Sequence, residues 1–162
     1  MDQTLSCKEH IGSMGKKISS RLAILRRARK VLPKSSCLTL YNMMVLPLFD
    51  YCAVVWDSCG LGGKSYLDKL NHRAACIIDS RSVGSNKLLT MFSWPNLQSR
   101  QDYLKCVLIY KCIHGIAPAY LLTEFKHTHQ IHAYYIRHRD QLRLPQAKTT
   151  KHQGSFRING AA

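Results

Sequence analysis

Residues 16–56 read KKISSRLAILRRARKVLPKSSCLTLYNMMVLPLFDYCAVVW and join a very basic segment directly to the most apolar segment of the chain. Eight Lys or Arg lie from Lys16 to Lys34, and no acid lies between Glu9 and Asp50. Apolar side chains in the basic segment recur at spacings of three, four and seven, which places them on one stripe of a helix. The basic side chains then project from the opposite side of that helix.

Two helical segments cover this stretch and its flanks. The first is predicted from about Ser6 to Leu32, ended by the proline that follows. Arg29 falls on its apolar stripe, so this side chain must reach past the edge of the core or find a partner. The second is predicted from Ser36 to Trp56, with Ser35 or Ser36 as its cap and apolar residues nearly all round. Pro47 should kink or divide this helix, because proline has no amide donor.

Two further long helices follow in the predicted architecture. The glycines of residues 60–63 predict a loop, and helices are predicted over Lys64–Asp79 and Leu97–His114. Gly115 is a plausible stop in the left-handed conformation. A short helix is expected from Ser85 to Phe92, and a single helical turn after the proline at 118. No β-strand pattern interrupts this series, so the sequence predicts an all-α protein.

The net charge is far from balanced and is unevenly distributed. Twenty-four Lys and Arg against nine Asp and Glu give +15 over 162 residues. Residues 99–162 hold ten basic groups against three acids. We expect a small bundle of about four main helices at residues 1–125 and a basic, extended or partly disordered tail at 126–162. Such charge favours a polyanionic partner, with nucleic acid ahead of anionic membrane.

Metal, thiol and membrane chemistry find little support in the sequence. The seven cysteines show no CxxC pair and mostly sit at helical spacing in apolar runs, where a free thiol behaves as a small hydrophobe. A zinc site is not expected at His127, His129, His132 and His138, because no cysteine lies nearby to complete it. No apolar signal segment follows Met1, and the run 40–56 is too short and too polar for a membrane span. We expect an intracellular protein of the nucleus or cytoplasm, not secreted, without metal, cofactor or membrane partner.

Four motifs lie along the chain in a definite order. They are Tyr41-Asn42 … Leu46-Pro47 … Phe49-Asp50-Tyr51-Cys52 … Trp56, Leu70-Asn71-His72-Arg73-Ala74-Ala75, Trp94-Pro95-Asn96-Leu97 with Arg100, and Tyr110-Lys111-Cys112-Ile113-His114-Gly115-Ile116-Ala117-Pro118. With the lysine-rich first helix, they resemble the C-terminal thumb and post-thumb region of non-LTR retrotransposon reverse transcriptases, of the jockey and CR1-like LINE group. The resemblance covers nearly the whole chain.

The resemblance implies a role but no catalysis by these residues. In such RNA-directed DNA polymerases, this transposable-element region holds the template–primer duplex against the palm. A polymerase of this class needs paired aspartates for two metal ions about 3.5–4 Å apart, and this chain has no Asp-Asp pair. We therefore expect no enzyme activity from the chain by itself, Mg²⁺ only in the missing palm, and a sequence truncated at both ends. The implied partners are RNA, DNA or an RNA–DNA hybrid, and the parent's palm and fingers.

The candidate nucleic-acid-binding site is the basic side of the first helix. Its members are Lys16, Lys17, Arg26, Arg27, Lys30 and Lys34. Nothing in their spacing suggests base recognition, so contact with the phosphate backbone, independent of sequence, is expected. The plain alternative is a solvated basic face. Two other functional alternatives are a degenerate retroelement relic without selected activity and a helical protein–protein module that exposes the apolar second helix.

Overall fold

The computed structural model describes residues 7–79, 94, 96–123, 125, 127–128, 131, 141–143, 146, 148–149, 153 and 155–159. The chain divides into two compact units, Met1–Gln101 and Asp102–Ala162. The division falls inside a helix, whereas the sequence placed the boundary at 125/126. Within the described ranges, no helix has the length and apolar character needed to cross a membrane.

In the part of the chain that the structure describes, every regular element is a helix. The elements are α1 (Lys8–Ala28), α2 (Lys34–Met44), α3 (Leu46–Asp50), α4 (Ala53–Trp56), α5 (Leu61–Asp79), α6 (Leu97–Ile113), α7 (Ala119–Leu122) and α8 (Phe156–Asn159). The helices α1, α2, α5 and α6 have 21, 11, 19 and 17 residues. The predicted all-α fold with about four main helices is confirmed.

The connection between α1 and α2 differs from the prediction at both ends. α1 ends at Ala28, and the next residues form turns closed by hydrogen bonds such as Val31 N–H to the carbonyl of Ala28, 3.0 Å. α2 then begins directly after Pro33, whose backbone is extended. The predicted serine cap is wrong, because the carbonyl of Pro33 itself accepts the Cys37 N–H at 3.1 Å and closes the first turn.

The predicted second helix is divided into the three pieces α2, α3 and α4. Pro47 lies in the first turn of α3, where its missing amide N–H leaves no donor unsatisfied. Cys52 has a φ of 52° and separates α3 from α4. The predicted division at Pro47 is confirmed. The segment is not buried on all sides, because Met43 and Tyr51 are 72% and 67% exposed.

α5 begins at Leu61, three residues earlier than predicted, so the glycines at 62 and 63 are helical rather than in a loop. Gly63 permits this start, because a Cβ there would lie 2.8 Å from Cδ1 of Ile11 on α1. Further along, a Cβ on Gly15 would lie 2.5 Å from the ring of Tyr66. The close approaches occur in the same order along both helices, so α1 and α5 run parallel and in contact.

The core of the first unit lies between these helices and the α2–α4 segment. Its largest fully buried side chains include Trp56, Phe49, Ile18, Leu22 and Leu67. Burial of one such side chain contributes roughly 1.5–3 kcal/mol relative to leaving it in water. Trp56 and Phe49 are therefore anchors of this core.

A polar cluster fixes the start of α6 within the first unit. The guanidinium of Arg100 donates to both carboxylate oxygens of Asp50, at 2.5 and 2.7 Å. Asn96 caps the helix, because its Oδ1 accepts the Ser99 N–H at 2.6 Å. Trp94 stacks on the ring of the buried Tyr41, with ring centroids 4.0 Å apart. Tyr41 donates to Oδ1 of Asn71 at 2.6 Å.

The second unit contains a small apolar cluster around the end of α6. Ile109, Cys112 and Phe125 are buried there. The rings of Phe125 and Phe156 pack edge to face, with their centroids 5.4 Å apart. Gly115, with a φ of 72°, ends α6 in the left-handed conformation, as predicted. The expected turn after residue 118 is present as α7. The short helix predicted at 85–92 lies outside the described residues, as does most of the tail.

Candidate nucleic-acid interface

α1 places most of its basic side chains on one exposed side. Its opposite side is buried and consists of Ile11, Met14, Gly15, Ile18, Leu22 and Leu25. Four predicted site residues on α1 and one in the turn after it are exposed: Lys16, Lys17, Arg26, Arg27 and Lys30. We call these five of the six predicted residues the cationic face; their role in binding nucleic acid stays a prediction.

The sixth predicted residue, Lys34, stands apart from this face. Its ammonium forms an ion pair with Asp79 at the end of α5. The Lys34 side chain is 41% exposed, while that of Asp79 is only 5% exposed. This ion pair compensates the charge of Lys34, so the lysine joins α2 to α5 and contributes little to a phosphate-binding surface.

Two further arginines of the basic stretch serve the fold. Arg29, which the sequence placed on the apolar stripe, donates through Nε to the carbonyl of Ile78 at 2.8 Å. Of the two outcomes expected for Arg29, the structure therefore shows the second, a partner. Arg21 donates to the carbonyl of Met44. Both guanidiniums satisfy carbonyls that lie near the ends of neighbouring helices, so neither belongs to the exposed cationic face.

A groove of about 360 Å³ lies between α1 and α5 beside this face. Its lining residues are Ser19, Leu22, Ala23, Arg26, Arg27, Arg73 and Ile77. Three of the seven are arginines, and no carboxylate is among them. Arg73 projects from α5 and is exposed. It was not among the predicted site residues, because its approach to Arg26 and Arg27 depends on how α1 packs against α5.

The three arginines of the groove carry uncompensated charge. Within the described ranges, the guanidinium groups of Arg26, Arg27 and Arg73 form no hydrogen bond or ion pair with another residue. Guanidiniums are always charged and offer planar pairs of N–H donors that match phosphate oxygens. The arrangement is suited to bind an anion and offers no proton-transfer or nucleophilic group.

A larger cavity of about 670 Å³ in the first unit has a different character. Lys64 lines it, but its ammonium is held by Asp57 at 2.8 Å and by Gln98 at 3.0 Å. Burial raises the pKa of Asp68, and the charge of Lys64 partly opposes that shift. Because its lysine is already paired and two carboxylates lie close by, this cavity is a poorer site for an anion.

The thiols and histidines present no assembled reactive site in the described residues. Burial raises the pKa of the Cys59 and Cys112 thiols, so both stay protonated at neutral pH. None of the seven cysteines forms a disulfide. In the parts of the chain that the structure describes, no three His, Cys, Asp or Glu side chains are grouped as metal ligands. Of the five histidines in residues 126–162, only His127 is described, and it lies in an isolated bridge to Leu142.

The chain was also compared with known proteins. No protein-family model, no curated protein and no solved structure matches it. The function is therefore inferred from the sequence motifs and from the geometry of the cationic face and the groove.

Proposed function

We propose that the chain is the thumb and post-thumb region of a non-LTR retrotransposon reverse transcriptase and that it holds nucleic acid by its phosphate backbone. The observation that carries the binding role is the set of exposed basic side chains on α1. The motifs from Tyr41 to Pro118 carry the assignment to the family. RNA, DNA and an RNA–DNA hybrid share the backbone charge that this surface would recognise.

The role follows from the chemistry of the face. Lys16, Lys17, Arg26, Arg27 and Lys30 place four positive charges on α1 and a fifth in the turn after it. Phosphate contacts fix position and orientation without reading sequence. The face would hold a template–primer duplex in register, while the aspartates and Mg²⁺ needed for polymerisation come from a palm outside this sequence. Such a partnership belongs inside the cell, in the nucleus or cytoplasm.

A partner surface for that palm is available on the first unit. Three large apolar side chains of the segment from α2 to α4 are more than 45% exposed, namely Met43, Tyr51 and Val55. Exposed apolar side chains of this kind are the ones that a protein partner would cover. We place the palm and fingers of the parent polymerase on this side of the chain.

The binding role is tested by charge reversal with a matched control. Arg26→Glu, Arg27→Glu and Lys30→Glu together lower the net charge from +15 to +9, because each reversal removes two units. Lys111→Glu, Arg143→Glu and Lys148→Glu make the same change at exposed residues of the second unit. Circular dichroism first checks that each variant keeps the helical content of the parent.

The readout is the Kd for a fluorescent RNA–DNA hybrid at fixed salt. We expect the first triple variant to weaken binding by at least about tenfold, because direct phosphate contacts are lost. The control should weaken it by less than about threefold, since its residues lie outside the proposed contact surface and exposed charges without a direct contact are screened by salt. Equal losses in both variants would reduce the binding to an effect of net charge, as expected of a relic without selected activity. An unchanged Kd in the first variant would remove α1 from the contact surface.

A further inference from the structure

We infer that the groove between α1 and α5 is a binding site for one sugar–phosphate unit of the nucleic-acid backbone and that Arg73 completes this site. This inference rests on the proposed function and extends it from one helix to two. A cationic face on α1 alone would touch a backbone along a line. Arg73 adds a cation from a second helix, opposite Arg26 and Arg27.

The parallel packing of α1 and α5 creates this site. Gly15 approaches Tyr66 early in the pair, and Arg29 reaches the carbonyl of Ile78 at its end. The groove lies between these two points. Ser19 and Ala23 are one turn apart on α1, and their small side chains leave the space that the longer arginines surround.

The lining of the groove has two chemical characters. Its rim carries the three arginines and the hydroxyl of Ser19, all donors to phosphate oxygens. Its floor is apolar and is formed by Leu22, which is 2% exposed, together with Ile77. A bare inorganic anion would leave that floor unused. A phosphodiester carries a sugar whose carbons can lie against it, so the backbone of a nucleic acid fits both parts.

Within the part of the chain that the structure describes, replacement of Arg73 removes no intramolecular hydrogen bond or ion pair of its side chain, so a change in binding is not caused by a loss of such a contact. Arg73 is exposed, and within the described residues its guanidinium has no hydrogen bond or ion pair. Lys69 lies one turn before it on α5, is also exposed, and is not among the groove's lining residues. Arg73→Gln and Lys69→Gln therefore remove one positive charge each, from the same face of one helix, at positions inside and outside the groove.

The experiment is arginine footprinting of the full chain with an arginine-selective dicarbonyl reagent, read by mass spectrometry with and without a saturating RNA–DNA hybrid. Modification of Arg26, Arg27 and Arg73 should fall together by at least about fivefold when the hybrid is bound. Arg143, an exposed arginine of the second unit, serves as the internal reference. In parallel, Arg73→Gln should raise the Kd at least about threefold more than Lys69→Gln does, in line with loss of a direct phosphate contact.

The outcomes separate the two proposals. Protection of Arg26 and Arg27 with Arg73 still fully reactive would overturn the groove and leave the proposed function standing. Equal Kd values for Arg73→Gln and Lys69→Gln would also overturn it. Failure of all three arginines to be protected would refute both. Protection of all three by inorganic phosphate, at a concentration matched in phosphate to the hybrid, would overturn the sugar–phosphate assignment.

Discussion

Gly12 and Gly15 lie one turn apart in α1 and respond differently to alanine. Both are in the helix interior, where replacing Gly by Ala contributes about 0.8–1.0 kcal/mol of stability. A Cβ at Gly12 would meet nothing within 4 Å. A Cβ at Gly15 would lie 2.5 Å from Cε1 and Oη of Tyr66, closer than atoms can approach. The ring must therefore move away from α1 in the second variant.

The structure sets the size of the difference. Tyr66 is 41% exposed, so its ring can swing into solvent without distorting the backbone. It would then lose part of its packing against α1, at a cost of roughly 1–2 kcal/mol. We expect Gly12→Ala to stabilise the chain by about 0.8–1.0 kcal/mol. Gly15→Ala should be neutral or destabilising, by up to about 1 kcal/mol, because the helix gain is offset by the lost ring contact.

Urea unfolding followed by circular dichroism measures both free energies. The decisive variant combines Gly15→Ala with Tyr66→Ala. With the ring absent, the alanine at 15 should recover the gain of the alanine at 12, measured against Tyr66→Ala alone. Equal effects of the two single substitutions, or no recovery in the double variant, would contradict the parallel contact of α1 and α5 on which the groove depends.

Two further predictions concern single positions. Burial raises the pKa of Tyr41, so its protonated form stabilises the fold; that contribution is complete below pH ~10 and is lost as pH rises further. Tyr41→Phe, which also removes the hydrogen bond to Asn71, should make the fall of the urea midpoint between pH 9 and 11 less steep. An unchanged fall of the midpoint would show that ionisation of Tyr41 is not its cause. Gly115→Ala should cost about 1–2 kcal/mol, because φ is 72° and the Ile116 N–H must still reach the carbonyl of Lys111 at 2.9 Å. A destabilisation of equal size for Gly60→Ala, where a Cβ meets nothing within 4 Å, would show that left-handed strain is not the cause.

Helical periodicity allowed much of the fold to be predicted. The stripe on α1, the division at Pro47 and the stop at Gly115 all follow from spacing and from the backbone preferences of proline and glycine. These are local properties, so a single sequence contains them.

Features that depend on tertiary packing could not be predicted. Gly63 reads as a loop residue, yet it is helical, and Ile11 of another helix occupies the space that a Cβ at this position would need. The local sequence of Lys34 predicts a member of the cationic face, but the lysine pairs with Asp79, which lies 45 residues away. Arg73 joins Arg26 and Arg27 only because α1 and α5 run parallel. None of these three pairings leaves a signal in the local sequence.

The central claim is that exposed cations of α1 contact the phosphate backbone, and the salt dependence of hybrid binding tests it most directly. Five contacts predict a slope of log K against log salt of about −3.5 to −4.5. Neutralising Arg26, Arg27 and Lys30 with glutamine should make that slope shallower by about 2–3, since each contact contributes about 0.7–0.9. The control triple Lys111→Gln, Arg143→Gln and Lys148→Gln should leave it unchanged. A parent slope near zero, or the same slope in all three proteins, would contradict the account.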